Sequence, residues 1–283
     1  MYTIIFFLAH DGIKQPEVWE TWLEECQKIA KGQNRNVLAR IFCNPDKVHD
    51  KFMKDRLLPF HIPTRWSDPS LVKVLQLGYK HIIDEFTNLD FICLVSGYDI
   101  PIMKPYEFLK LSIQSYVPLI SYNLDKMPPK KYKSLSISKF SKKQPTKFAT
   151  QWIHVTKKHA EIISKSNLET FVEWLDVLNK DAQQNYVYDE VLPCAMLEAA
   201  GVLNELKDEP LTAMERKNIG DPSPIVFRSL TGKYIINREE LEDGEIEEEN
   251  FSLNQVLKEY RDDEFVFFRK VSDSVIFEKM PWI

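Results

Sequence analysis

Two short segments hold most of the residues with which this chain could do chemistry. Asp189 and Glu190 stand side by side in Y-V-Y-D-E-V-L-P-C-A-M-L, where the apolar spacing starts a helix. Acids in a first turn complement the helix dipole, and a carboxylate there can also serve as a general base. Consecutive helical positions point about 100° apart. The pair is therefore not a glycosidase couple, whose carboxyls sit ~5–10 Å apart across the scissile bond. Arg269-Lys270 closes the apolar run F-V-F-F near the other end of the chain. These two cations fit a solvated strand end. They equally fit a clamp on a diphosphate, for which a guanidinium fork and an ammonium point charge are suited.

The elements that would position such groups can be read from the apolar pattern. Residues 3–9 (T-I-I-F-F-L-A) form a continuous apolar run, as a strand buried on both faces does. A helix is expected over 16–31, with Val18, Trp22, Leu23, Cys26, Ile29 and Ala30 on its inner face and Gly32 as its stop. Residues 37–43 return to strand. A second helix is expected over 68–83, with Asp68 as N-cap and Pro69 in its first turn. The strand D-F-I-C-L-V-S at 90–96 follows. This βαβαβ order predicts an α/β fold with a mostly parallel twisted sheet flanked by helices. Ligands of such sheets bind outside the carboxyl ends of the strands. Three turns would meet there: Ala9-His10-Asp11, Asn44-Pro45-Asp46 and Ser96-Gly97-Tyr98-Asp99.

Beyond Asn123 the composition changes. Eight lysines and no acid fall between Lys126 and Lys147, which reads as a mobile surface loop able to close over anionic groups. Helices are expected at 156–166, 168–180 and 189–200, a solvated acidic stretch at 239–250, and a last strand at 265–268. No linker or repeat divides the chain. One domain is expected, with residues 1–122 and 148–283 as its two halves. Trp66 and Trp152 suit either core or rim packing, or a platform for a sugar ring.

Composition and missing motifs narrow the field. A net charge of −5 argues against a nucleic-acid partner. The four scattered cysteines read as buried free thiols. No run approaches the ~20 apolar residues of a membrane span, and the first residues lack the basic start and cleavage site of a secretory signal. A cytoplasmic protein is expected. No phosphate-binding glycine fingerprint, nucleophile elbow or paired-histidine metal motif occurs. Asp-x-Asp is also absent, so no carboxylate pair of that form would hold a divalent ion on a nucleotide.

Seven segments in order, spread over residues 3–271, resemble the core-2/I-branching β-N-acetylglucosaminyltransferase and peptide O-xylosyltransferase family. I-I-F-F-L-A-H-D-G is similar to that family's first strand and His-Gly turn, and I-F-C-N-P-D-K at 41–47 to its strand ending in His-Val-Asp-Lys. R-W-S-D-P-S-L-V resembles its Trp-Gly-x-x-Ser-Leu-Val, and L-V-S-G-Y-D-I-P-I its Leu-Ser-Gly-x-Asp-x-Pro-Leu. Thr150-Gln151-Trp152 before T-K-K-H-A-E, then Asp189-Glu190, then F-F-R-K at 267–270 complete the series. Asn44-Pro45 stands in place of the family's His-Val, and Ser67-Asp68 in place of a double glycine.

The resemblance implies a GT-A-like fold and an inverting glycosyltransferase that needs no metal or other cofactor. It would move xylose or N-acetylglucosamine from a UDP-sugar to a hydroxyl of a glycan or glycoprotein. Glu190 would be the general base, with Arg269 and Lys270 stabilising the diphosphate. Asp46 would bind uridine, with His10 and Trp66 also on the donor side. Ser96-Gly97 would keep the strand end narrow for the donor, and Asp99 would accept a hydroxyl. Gln151, Trp152 and Asp189 would line the acceptor or sugar pocket. The missing membrane anchor points to a bacterial or virus-encoded enzyme. The alternative is a catalytically silent module that binds sugar or nucleotide-sugar on the same fold.

Overall fold

The computed structural model describes residues 1–32, 35–121, 147–149, 151–182, 186–214, 226–227, 234–235, 253–272, 275–277 and 279–283. The acidic stretch at 239–250 and all of the lysine-rich segment except Lys147 lie outside them.

Strand β1 (Tyr2–Leu8) leads into helix α1 (Pro16–Ala30) and strand β2 (Asn36–Phe42). A short helix α2 (Lys51–Lys54) precedes the long helix α3 (Pro69–Glu85) and strand β3 (Leu89–Ser96). β1 pairs in parallel with both β2 and β3, so it is central to this half and buried on both faces. Alternate residues go to opposite sides: Ile5 and Phe7 face one core with α1, Ile4 and Phe6 another with α3. Each such fully buried side chain contributes about 1.5–3 kcal/mol.

α1 buries Trp19 together with the expected Val18, Trp22, Leu23, Cys26 and Ala30, whereas Ile29 stays partly in solvent, 37% exposed. α3 starts as the sequence indicates, the Asp68 carboxylate accepting from the Ser70 N–H at 2.8 Å. Its Gly78 admits the Phe6 ring, which would lie 2.3 Å from an added Cβ.

The chain continues through β4 (Ile100–Pro101), α4 (Pro105–Phe108), β5 (Ser115–Tyr116) and β6 (Leu119–Ser121). β7 (Lys147–Ala149) pairs with β6, and β8 (His154–Thr156) leads directly into α5 (Lys157–Lys165). Next come α6 (Leu168–Ala182), α7 (Tyr188–Ala199), β9 (Leu206–Lys207) and β10 (Thr212–Met214). β11 (Val226–Phe227) pairs with β12 (Tyr234–Ile235), and α8 (Leu253–Asp262) precedes β13 (Phe267–Arg269).

The main sheet has six strands in the order β2-β1-β3-β8-β5-β9. It is mixed, which corrects the expectation of a mostly parallel sheet. β8 lies antiparallel to β3, with Cys93 opposite His154, and β5 lies antiparallel to β8. Connectivity explains the direction. Gln151 and Trp152 stand at the carboxyl end of β3, and the chain enters β8 from there without a crossover. A parallel partner would need a crossover back to the far end.

β13 is not part of that sheet. It lies between β10 and β4 in a second sheet of three strands, and at Phe267–Arg269 it starts two residues later and ends one residue later than expected. The four cysteines are free and buried, as expected. Among the described residues no helix is long and apolar enough to cross a membrane.

Candidate active site

A cavity of about 510 Å³ opens where the three parallel strands end. His10 follows β1, Asn44 follows β2, and Ser96, Gly97 and Tyr98 end or follow β3, and all five line it. The backbone fixes their spacing: the Ala9 N–H donates to the Phe42 carbonyl at 2.9 Å, and the Lys14 N–H to the Gly97 carbonyl at 2.7 Å. Sequence positions far from these strands supply the other walls, through Trp66, Gln151, Trp152, Asp189, Arg269 and Lys270. Nine of the residues expected from sequence thus meet at one surface. Asp46, Asp99 and Glu190 are not in its lining.

Asp46 sits on an exposed 3-10 turn, Pro45–Lys47, where its N–H donates to the Asn44 side chain at 3.0 Å. Asn44 takes the place at the cavity that the sequence reading gave to Asp46. Asp99 has no exposed surface. It accepts from the Ser96 N–H at 2.9 Å and the Ser96 hydroxyl at 2.5 Å, while its carbonyl accepts from Trp19 Nε1 at 2.8 Å. It supports the strand end from behind rather than offering an oxygen to a ligand.

Gly97 is also explained from within the protein. A Cβ there would lie 2.1 Å from the Gly12 carbonyl oxygen, so the absent side chain admits the neighbouring loop and not only a ligand.

Arg269 is the electrostatic centre of the wall. Its guanidinium lies 4.1 Å over the Trp152 ring, and its Nε is 3.9 Å from Asp99 Oδ1. Burial pushes its pKa down, and the charges of Asp99, Asp189 and Glu190 act against that. Asp189 is 8% exposed, and its buried Oδ1 has no hydrogen-bond partner. Burial raises its pKa, against an opposing pull from Arg269. Glu190 is the next residue in the first turn of α7, half-buried and near enough for its charge to act on Arg269.

Lys270 follows Arg269 across a cis peptide. It is half-buried, and burial, with Arg269 second, pushes its pKa down to about 8. Trp66 stands at the mouth with 85% of its surface exposed, and His10 is exposed as well.

Several cavity residues escaped the sequence reading. Tyr98 lay inside the Ser-Gly-x-Asp turn but had no assigned role. His61, stacked on Phe42 at 5.5 Å and 14°, comes from a stretch without periodicity. Only folding places it beside the end of β2.

A second constellation looks hydrolytic and is not. Ser115 Oγ lies 2.6 Å from His159 Nδ1, and Glu205 Oε2 lies 3.3 Å from His159 Nε2. Ser115 is fully buried, and its oxygen also accepts from the Thr156 N–H at 2.8 Å. No substrate can reach that hydroxyl, so the group serves to pin β5, β8 and α5 together.

Among the described residues no cluster of three or more His, Cys, Asp or Glu side chains could hold a metal ion. No protein-family model matches the chain, and no curated protein matches it.

Proposed function

We propose that this protein is an inverting glycosyltransferase using a UDP-sugar, of the kind its resemblance to the core-2/I-branching and peptide O-xylosyltransferase family implies, on a GT-A-like fold. One observation carries the reading. Segments from His10 to Lys270 converge on a single cavity at the carboxyl ends of three parallel strands, bringing the cations Arg65, Arg269 and Lys270 and the carboxylates Asp11 and Asp189 into its wall. That is where α/β sheets take their ligands.

In the proposed reaction an acceptor hydroxyl oxygen attacks the anomeric carbon from the face opposite the nucleotide. The bond between that carbon and the diphosphate oxygen breaks, and UDP departs with the electron pair. Glu190 takes the hydroxyl proton as general base. The cations Arg269 and Lys270 stabilise the negative charge that grows on the leaving diphosphate. The donor sugar is xylose or N-acetylglucosamine, and the acceptor is a glycan or glycoprotein.

The test is turnover of UDP-xylose and UDP-N-acetylglucosamine, with UDP release measured in excess EDTA and in added Mn²⁺, for the parent protein, Glu190→Gln and Asp189→Asn. Loss of transfer in Glu190→Gln with UDP affinity retained supports the assignment. If Asp189→Asn alone loses transfer, the base is Asp189. If the parent protein binds UDP-sugars without turning them over, the silent binding module is the correct reading.

A further inference from the structure

The proposed reaction gives work to two of the cations that line the cavity and leaves Arg65 over. Arg269 and Lys270 face the leaving diphosphate, and neither xylose nor N-acetylglucosamine carries a charge. Arg65 lines the same cavity from the segment before α3, next to Trp66, and both side chains are exposed. Local contacts hold this pair without using its charge. The Arg65 N–H donates to the Ser70 hydroxyl at 3.2 Å. Ser67, with φ at 52°, makes a left-handed turn between Trp66 and the cap of α3.

The neighbouring acids are engaged elsewhere. The Asp68 carboxylate caps α3, and its bonds with Ser70 act on it more strongly than the field of Arg65. Of the two carboxylates in the lining, Asp11 lies 3.8 Å from His10 Nε2, and Asp189 is acted on by Arg269. Among the described residues the arginines in ion pairs are Arg40 and Arg269. Arg65 therefore presents a free guanidinium beside an open indole. Such a fork takes a carboxylate through two parallel hydrogen bonds. The indole face takes the C–H face of a pyranose. A sugar ring that carries a carboxylate uses both groups, whereas an acidic peptide uses only the first.

We infer that Arg65 selects an acceptor glycan bearing a uronic acid, whose carboxylate sits on the guanidinium at the cavity mouth with its ring against Trp66. The resemblance sets Trp66 on the donor side, and at the mouth it borders the incoming acceptor as well. The acceptor is the source of the carboxylate because the two inner cations are committed to the UDP-sugar. That assignment rests on the glycosyltransferase reading, but the preference for a carboxylated sugar does not.

Ligand-observed NMR titration tests this with methyl β-glucuronide against methyl β-glucoside, and methyl β-galacturonide against methyl β-galactoside. Each pair differs only in a carboxylate against a hydroxymethyl group, and each is titrated with and without saturating UDP. The parent protein is expected to bind the better uronide about fivefold more tightly than its neutral counterpart, as suits an ion pair open to solvent. That preference should shrink as salt rises, which a packing role for Arg65 would not produce. Arg65→Gln should bind both members of the pair equally, and Arg65→Lys should restore part of the difference. No binding of either uronide, equal binding within each pair, or a preference that survives in Arg65→Gln overturns the inference. So does a larger fall in UDP affinity than in uronide affinity in Arg65→Gln, which would give Arg65 to the diphosphate. An aspartate-rich peptide that binds as tightly as the uronide overturns the choice of a sugar. Displacement of the uronide by UDP, with UDP-glucuronate preferred over UDP-glucose, moves the carboxylate to the donor and overturns the acceptor assignment. An Arg65-dependent uronide preference in a protein that UDP does not bind upholds the carboxylate site and overturns the nucleotide-sugar reading instead.

Discussion

Lys270 gives the site a pH dependence that can be worked out in advance. Burial, and then Arg269, bring its pKa from 10.5 down to about 8. An anion in the cavity favours the ammonium form, so binding should draw a proton onto Lys270. If only the charged form grips a diphosphate, UDP affinity falls about tenfold between pH 7 and pH 9, and binding near pH 8 takes up about half a proton. Titration calorimetry at pH 7, 8 and 9, in buffers of different ionisation enthalpy, reads both quantities. Lys270→Arg should flatten the curve because arginine keeps its charge throughout. Constant affinity from pH 7 to 9, or the same fall in Lys270→Arg, refutes the reasoning. The effect on folding has the opposite sign. The folded ammonium loses its proton before the unfolded one, so the cost of burying it is fully present below about pH 8. That cost is relieved as pH rises from about 8 toward 10.5. The ligand-free protein therefore gains stability from this residue over the range in which it loses its ligand.

Gly97→Ala should lower stability by about 1–3 kcal/mol, because the new Cβ meets backbone that cannot swing away. An unchanged urea midpoint contradicts that packing. Asp99→Asn should cost about 1–3 kcal/mol in the same assay, since an amide cannot accept both Ser96 bonds and support Arg269. A neutral result would mean that Asp99 is not needed behind the strand end. Arg269→Ala should weaken UDP far more than uridine in competition titrations, and equal weakening argues against any role near phosphate. Trp66→Ala should leave the melting temperature nearly unchanged, within about 0.5 kcal/mol of stability, because the side chain is 85% exposed. A rise in the KM for the sugar donor in that variant supports a sugar platform, and unaltered kinetics removes it.

The first half of the fold was legible because its signals are local. Continuous apolar runs marked β1, β2 and β3, and Asp68-Pro69 marked the start of α3. The second half was harder. β8 is only three residues long, too short for alternation to show, and its direction depends on where Trp152 leaves the cavity. Three site residues show the same limit. Asp46 and Asn44 are two positions apart on one turn, and sequence could not tell which of them faces inward. Asp99 carries the chemistry of a ligand contact, but Ser96 and Trp19 enclose it, and both contacts form only on folding.

The threading of β13 between β10 and β4 bears on how the protein is made. A growing chain folds from its N-terminus. The strand ends that carry His10, Asn44 and Ser96 can therefore assemble while Arg269 and Lys270 are still unsynthesised. Gln15 is left without its partners for equally long, since its side chain donates to the carbonyls of Ser272 and Val275 at 2.6 and 3.0 Å. A nascent chain thus has the floor of the cavity but neither of the cations at 269 and 270. It gains its full charge only when the last strand slots in beside Ile100. A chain stalled or cut before that point would keep most of its sheet yet lack two of the three cations that line the cavity, Arg65 alone remaining, and is expected to hold an anion more weakly than the full chain.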